Sequence, residues 1–151
     1  MSDTGDLLTG IATMIAAGGL GVTYNAAGTY TAAQTGLLMK VMPATPDRVV
    51  TLTAVNQGDS ITMPAGQVMV QVRGRGNPGQ PVDVDDLLDS IFLILHGTKN
   101  LVFGGVTVIQ MNRRVSVPMG MDDSKRWERV DQYYLDVSTP PSALRPASGS
   151  W

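Results

Sequence analysis

Apolar residues recur at Leu7, Leu8, Ile11, Met14 and Ile15 in the opening stretch SDTGDLLTGIATMIAAGGLG. That spacing places them on one side of a helix and predicts one buried face. Ser2, Asp3 and Thr4 are cap candidates, and Gly18 and Gly19 supply the stop. Ala16 and Ala17 leave room for another backbone. The stretch that follows, VTYNAAGTYTAAQTGLLMKVMPATPD, has no clean period. Its segment GLLMKVM suits a short strand near Leu38, and Pro43, Pro46 and Asp47 mark a loop. Residues 48–55, RVVTLTAV, are rich in β-branched types and predict a strand. A polar loop over 56–66 leads to QVMVQVRGR, where Val68, Val70 and Val72 alternate with Met69, Gln71 and Arg73. Strict alternation means one buried and one open sheet face.

NPGQP ends that strand, and a helix is expected from about Asp83 to His96. Asp83 and Asp86 have the spacing of a capping pair, and Gly97 is the C-terminal stop. This helix carries the run IFLIL, residues 91–95. Leu87, Leu88, Ile91 and Leu95 face a sheet, and Phe92 and Ile94 then point elsewhere. Two readings cover that surplus: the first helix packs on it, or a neighbouring subunit does. After the Gly104–Gly105 pair, VTVIQMNRRVSV predicts a strand, PMGMDDSK a turn, and RWERVDQYYLDVS a last strand mixing aromatic and charged residues. TPPSALRPASGSW has the composition of a mobile tail. The expected fold is therefore α+β, a mostly antiparallel sheet of four to five strands packed against two helices. The domain is expected to span 1–138, with a flexible tail over 139–151.

Composition narrows the chemistry. The chain has 151 residues, no cysteine, one histidine and a formal charge of −2, with 16% of residues charged. Disulfides and thiolate metal sites are excluded, and a single histidine, His96, rules out histidine-rich zinc sites and argues against a histidine-based triad. The acidic start MSDTGDLL lacks the basic opening of a secretory signal, and the apolar runs are too short to span a bilayer, so a soluble chain is expected. RGRGNPG matches neither a P-loop nor a dinucleotide fingerprint. Asp83, Asp85 and Asp86 lack the other ligands of a calcium loop, and capping accounts for them. No catalytic, cofactor or metal site is expected. Arg73, Arg75, Arg113 and Arg114 also permit a nucleic-acid-binding reading, although charge this balanced argues against a phosphate grip.

Four stretches, taken in order, carry a resemblance. They are TPDRVVTLT; VQVRGRG with PVDVDDLLDSIFLILHG; VIQMNRRVSVPMGMDDSKRWERVDQYYLDV; and, more loosely, GTYTAAQTGLLM. Together the chain resembles the phage minor capsid proteins of long-tailed actinobacteriophages, which are similar to tail terminators, over about residues 1–139. The resemblance implies a virion protein with no catalytic residues and no cofactor. It implies a hexameric ring at the head-proximal end of the tail, assembled in the host cytoplasm. Its partners would be other copies of itself, the tail tube protein and a head-completion or connector protein. Genomic DNA would pass through the lumen without specific binding, and no membrane is involved. The alternative is a head–tail connector or stopper.

A tube of stacked rings grows until a mismatched face caps it. Under that reading loops 56–66 and 116–125 are expected to make the axial contacts, through Met63, Met119 and Met121, whose side chains adapt to a partner. Arg73, Arg75, Phe92, Arg113, Arg114, Trp127 and Arg129 are expected at subunit interfaces, where arginine and aromatics are enriched. Asp122 and Asp123 are candidate lumen acids.

Overall fold

The structure is a computed structural model that describes residues 2–147. Helix α1 spans Asp3–Ala17, and the Ser2 hydroxyl caps it by accepting the Gly5 N–H at 3.0 Å. Three strands follow: β1 Val22–Tyr24, β2 Thr35–Met39 and β3 Val49–Asp59. Then come β4 Ala65–Arg75, α2 Asp83–Leu95, β5 Lys99–Phe103, β6 Val106–Met121 and β7 Trp127–Ser138. The strands form one sheet in the order β1-β2-β3-β4-β7-β6-β5.

The fold is α+β with two helices, as expected, but the sheet has seven strands and is mixed rather than four- to five-stranded and mostly antiparallel. β1 pairs parallel with β2, and β2 parallel with β3. A three-residue strand such as β1 is too short to show alternation. β5 was hidden because Gly104 and Gly105 turn a hairpin, pairing Phe103 with Val106. β3 also runs on to Asp59 through a bulge at Asn56–Gly58, and β6 runs to Met121. Most of the expected loops 56–66 and 116–125 is therefore strand. The true turns are residues 60–64 and 122–126.

Both helices pack on one face of the sheet. Leu7, Leu8, Ile11 and Ile15 of α1 join Leu87, Leu88, Ile91 and Leu95 of α2 over Val50, Leu52, Val70, Val72, Tyr133 and Leu135. Gly74 faces this side, since a side-chain carbon there would lie 2.8 Å from Leu88. Arg73 and Arg75 therefore point to the opposite, helix-free face. The surplus on α2 is shared out. Ile94 packs on Gly18 of α1, where a Cβ would meet its terminal methyl at 2.1 Å. The close approach between the helices thus falls at Gly18. Phe92 lies under the Arg113 guanidinium, 4.0 Å from the ring centroid, and stacks on His96 at 4.6 Å. Leu93 remains 81% exposed.

The start of α2 departs from the capping expectation. Its N-cap is Val82, which makes no side-chain cap bond. Asp83 instead accepts the Asn77 N–H at 2.8 Å and the Arg48 guanidinium at 3.1 Å, tying the turn and β3 to the helix. Gly97, with φ +85°, ends the helix where a side chain would be strained. Residues 139–145, part of the expected tail, lie along the β3–β4 turn. The Thr139 N–H reaches the Pro64 carbonyl at 2.9 Å. Arg145 donates to the carbonyls of Met63 and Ala65 at 2.8 and 2.9 Å. Residues 148–151 of that tail lie outside the described residues.

Candidate assembly surfaces

The arginines divide by burial. Arg129 is on the helix side of β7, with a side chain only 8% exposed. It donates to both oxygens of Asp131 at 2.8 and 2.9 Å, and reaches Asp85 at 3.1 Å and Asp89 at 2.9 Å on α2. Burial opposes its charge, but the bonds to Asp131, Asp89 and Asp85 outweigh that and raise its pKa. Asp131 is fully buried and also receives Arg113 at 3.3 Å and the Ser116 hydroxyl at 2.6 Å. This cluster clamps α2 onto β6 and β7.

Arg75 and Arg126 form a second clamp. Arg75 donates to the carbonyls of Pro43, Pro46 and Asp47, each at 2.7 Å. Burial, and then the Arg126 guanidinium, hold its pKa below the ordinary arginine value. Arg126 reaches the Ala44 carbonyl at 2.7 Å, Asp47 at 3.0 Å and Asp122 at 2.9 Å. Burial pushes the Asp122 carboxyl up, but the Arg126 donors outweigh it and hold it below its ordinary value of 3.8. The loop between β2 and β3 is thereby fixed against the β6–β7 turn.

These contacts place the expected interface residues. Arg75 and Arg129 spend their donors inside the subunit, and Arg113 is divided between Asp131, Asp89 and the Phe92 ring. Trp127 is half-buried against the core, and Phe92 is half-buried under Arg113. Arg73 lies on the helix-free face, paired with Glu128 at 2.9 Å and 44% exposed. Arg114 lies on the same face over the Tyr134 ring at 4.6 Å and makes no hydrogen bond among the described residues. The four arginines of the nucleic-acid reading thus do not form a free basic patch. Asp83, Asp85 and Asp86 diverge, toward Arg48, Arg129 and solvent respectively.

Met63 sits at the β3–β4 turn, 40% exposed, with Ile61 beside it at 89%. Met119 and Met121 are 54% and 52% exposed at the β6–β7 turn. The two turns are at opposite ends of the sheet: Ala65 pairs with Ser138 at one end and Arg75 with Glu128 at the other. Eleven residues of β4 separate them, roughly 36 Å at about 3.3 Å per residue.

Sequence reasoning missed Arg48, Arg126, Asp131 and Arg145. A signal existed for Asp131: it shares a face with Tyr133, Leu135 and Val137, so a charge stood in register with the core.

The family model of the bacteriophage tail terminator protein matches residues 14–139. The chain belongs to that family. It is accordingly a structural component of a virion tail. Comparison with curated proteins gives no match. Among solved structures, a chain in the virion of a native gene transfer agent particle superposes with a TM-score of 0.67. That alignment covers 91% of this chain and 99% of the other at 12% identity. At that identity the likeness is one of fold.

Proposed function

We propose that this family member forms a closed ring, a hexamer by the family resemblance, that caps the tail tube at its head-proximal end. The ring stops tube growth and offers its other side to a head-completion protein, and DNA passes through the lumen unread. The single observation that supports this, beyond family membership, is the placement of adaptable apolar groups at both ends of one rigid sheet. Met63 and Ile61 occupy one end, Met119 and Met121 the other. A cap needs one end that matches the tube and another that refuses the next tube ring, because complementary faces at both ends would let stacking continue. Methionine suits a contact that must adjust to a foreign partner.

The test is imaging of intact particles carrying a tagged copy of this chain. A ring of label at the head-proximal end of the tube supports the reading. Label on the head side of that ring points to the stopper alternative. Label absent from the particle contradicts both.

A further inference from the structure

One stripe of α2 faces away from the core. It contains Val82, Asp86, Asp89 and Leu93, spaced by four, three and four residues, so they stack on one side of the helix. Val82 is 63% exposed and Leu93 81%. A lone exposed leucine is ordinary; this one belongs to a stripe with two apolar ends and acids between. Asp86 has no ion-pair partner among the described residues. Within the stripe Asp89 touches the intrachain network, through Arg129 and Arg113.

The opposite side of the subunit carries a groove of about 330 Å³, lined by Gln71, Arg73, Val117, Met119, Val130 and Gln132. No helix covers it. Its floor is apolar, with Val117 39% and Met119 54% exposed. Val117 pairs with Val130 and Gln71 with Gln132, so floor and wall are set by register. At one end stands Arg114, resting on Tyr134 without a hydrogen-bonded partner among the described residues.

We propose that the outward stripe of α2 seats in this groove on a second copy of the chain, with Leu93 on Val117 and Asp86 facing Arg114. The inference rests on the ring reading and names the faces that would build the ring. Charge selects the occupant: Arg129 already holds Asp89 and Glu128 already holds Arg73, which leaves Asp86 on the stripe and Arg114 beside the groove as the two charges without an ion-pair partner among the described residues. The spacing agrees as well. Leu93 and Asp86 are seven residues apart on a helix, about 10 Å. Val130 and Tyr134 are four apart on a strand, about 13 Å, and the Arg114 side chain spans the difference. Because stripe and groove lie on opposite sides of one subunit, the contact is head-to-tail. A head-to-tail contact closes into a ring when its rotation permits.

The chain has no cysteine, so Leu93→Cys with Val117→Cys in one full-length chain gives an unambiguous probe. The double variant is assembled with and without isolated tail tubes and treated with a short bismaleimide. Expected is a ladder of covalent oligomers from the double variant and none from either single variant. Capped tubes without a ladder overturn this pairing and leave the ring reading standing. Dimers from Leu93→Cys alone, or a crosslink to the tube protein, overturn it as well. Uncapped tubes with wild-type protein overturn both. A second arm uses charge. Asp86→Lys and Arg114→Glu should each raise the concentration needed for assembly by at least about tenfold, and the double exchange should restore it. No restoration, with far-UV circular dichroism unchanged, overturns the pairing.

Discussion

Arg129 donates to both oxygens of a fully buried Asp131 two residues further along the same strand, beneath α2. Adjacent strand residues alternate faces, so two residues apart is the spacing that puts both side chains on the helix side. The pair is a structural clamp rather than a partner contact. Removing Arg129 leaves the buried Asp131 carboxylate with only the longer Arg113 contact and the Ser116 hydroxyl. Arg129→Met should lose about 3–5 kcal/mol of unfolding free energy, read by urea denaturation. The double change with Asp131→Leu should recover part of that loss. An Arg129→Met variant as stable as wild type would show that the clamp contributes nothing.

Tyr133 presents a different imbalance. Its side chain is fully buried, and its hydroxyl has no hydrogen-bond partner among the described residues. Burial, and then the Asp131 charge, raise its pKa above the ordinary 10.0. The folded state therefore keeps a proton that the unfolded chain loses. Stability from this group is full below pH 10.0 and falls as pH rises beyond it. Tyr133→Phe should stabilise by about 1 kcal/mol and flatten the alkaline limb of a melting-temperature profile. A less stable variant would mean the hydroxyl is satisfied.

Asp122 titrates in the opposite direction. Its folded pKa lies below 3.8, so its contribution is present above that value and is lost as pH falls through the folded pKa. Asp122→Asn should be less stable than wild type at neutral pH, and the difference should shrink in acid. A pH-independent difference would assign the effect to hydrogen bonding alone. Because Asp122 and Arg126 hold the β6–β7 turn, proteolysis near residues 122–126 should quicken in the variant.

Gly18 tests the helix contact. Its φ of −78° strains no side chain, so the cost of Gly18→Ala is the clash with Ile94. The atom met is the terminal methyl of the half-buried Ile94, which can turn aside, so the loss should fall at the low end of the overpacking range, about 1 kcal/mol. Ile94→Val in the same chain should relieve it. If the double variant is no more stable than Gly18→Ala, the clash lies elsewhere.

The parts of the fold legible in the sequence were those with a period. Both helices, β3, β4, β6 and β7 announced themselves through apolar spacing, and Gly97 ended α2 where expected. β1 and β5 did not, because three and five residues hold too little pattern. Parallel pairing of β2 with β3 depends on how the loop between them crosses, and Arg75 and Arg126 hold that loop through carbonyls far from them in sequence; nothing in the short β1 signals its pairing with β2. The arginines were visible as a set, but their division into buried clamps and exposed Arg73 and Arg114 was not. That division depends on which acids the fold brings close: Arg129 finds Asp85 forty-four residues earlier. The surplus on α2 was visible too. Its resolution needed the structure, since Gly18 and Arg113 cover Ile94 and Phe92 and leave Leu93 in solvent.

The most direct test of the capping claim is tail length. Tube protein is polymerised in the presence and absence of this chain, and tubes are measured by negative-stain electron microscopy. Open-ended growth is expected without the chain, and arrested tubes bearing a ring at one end when it is supplied. Tubes that lengthen equally with the chain present, and carry no ring, would contradict the capping claim.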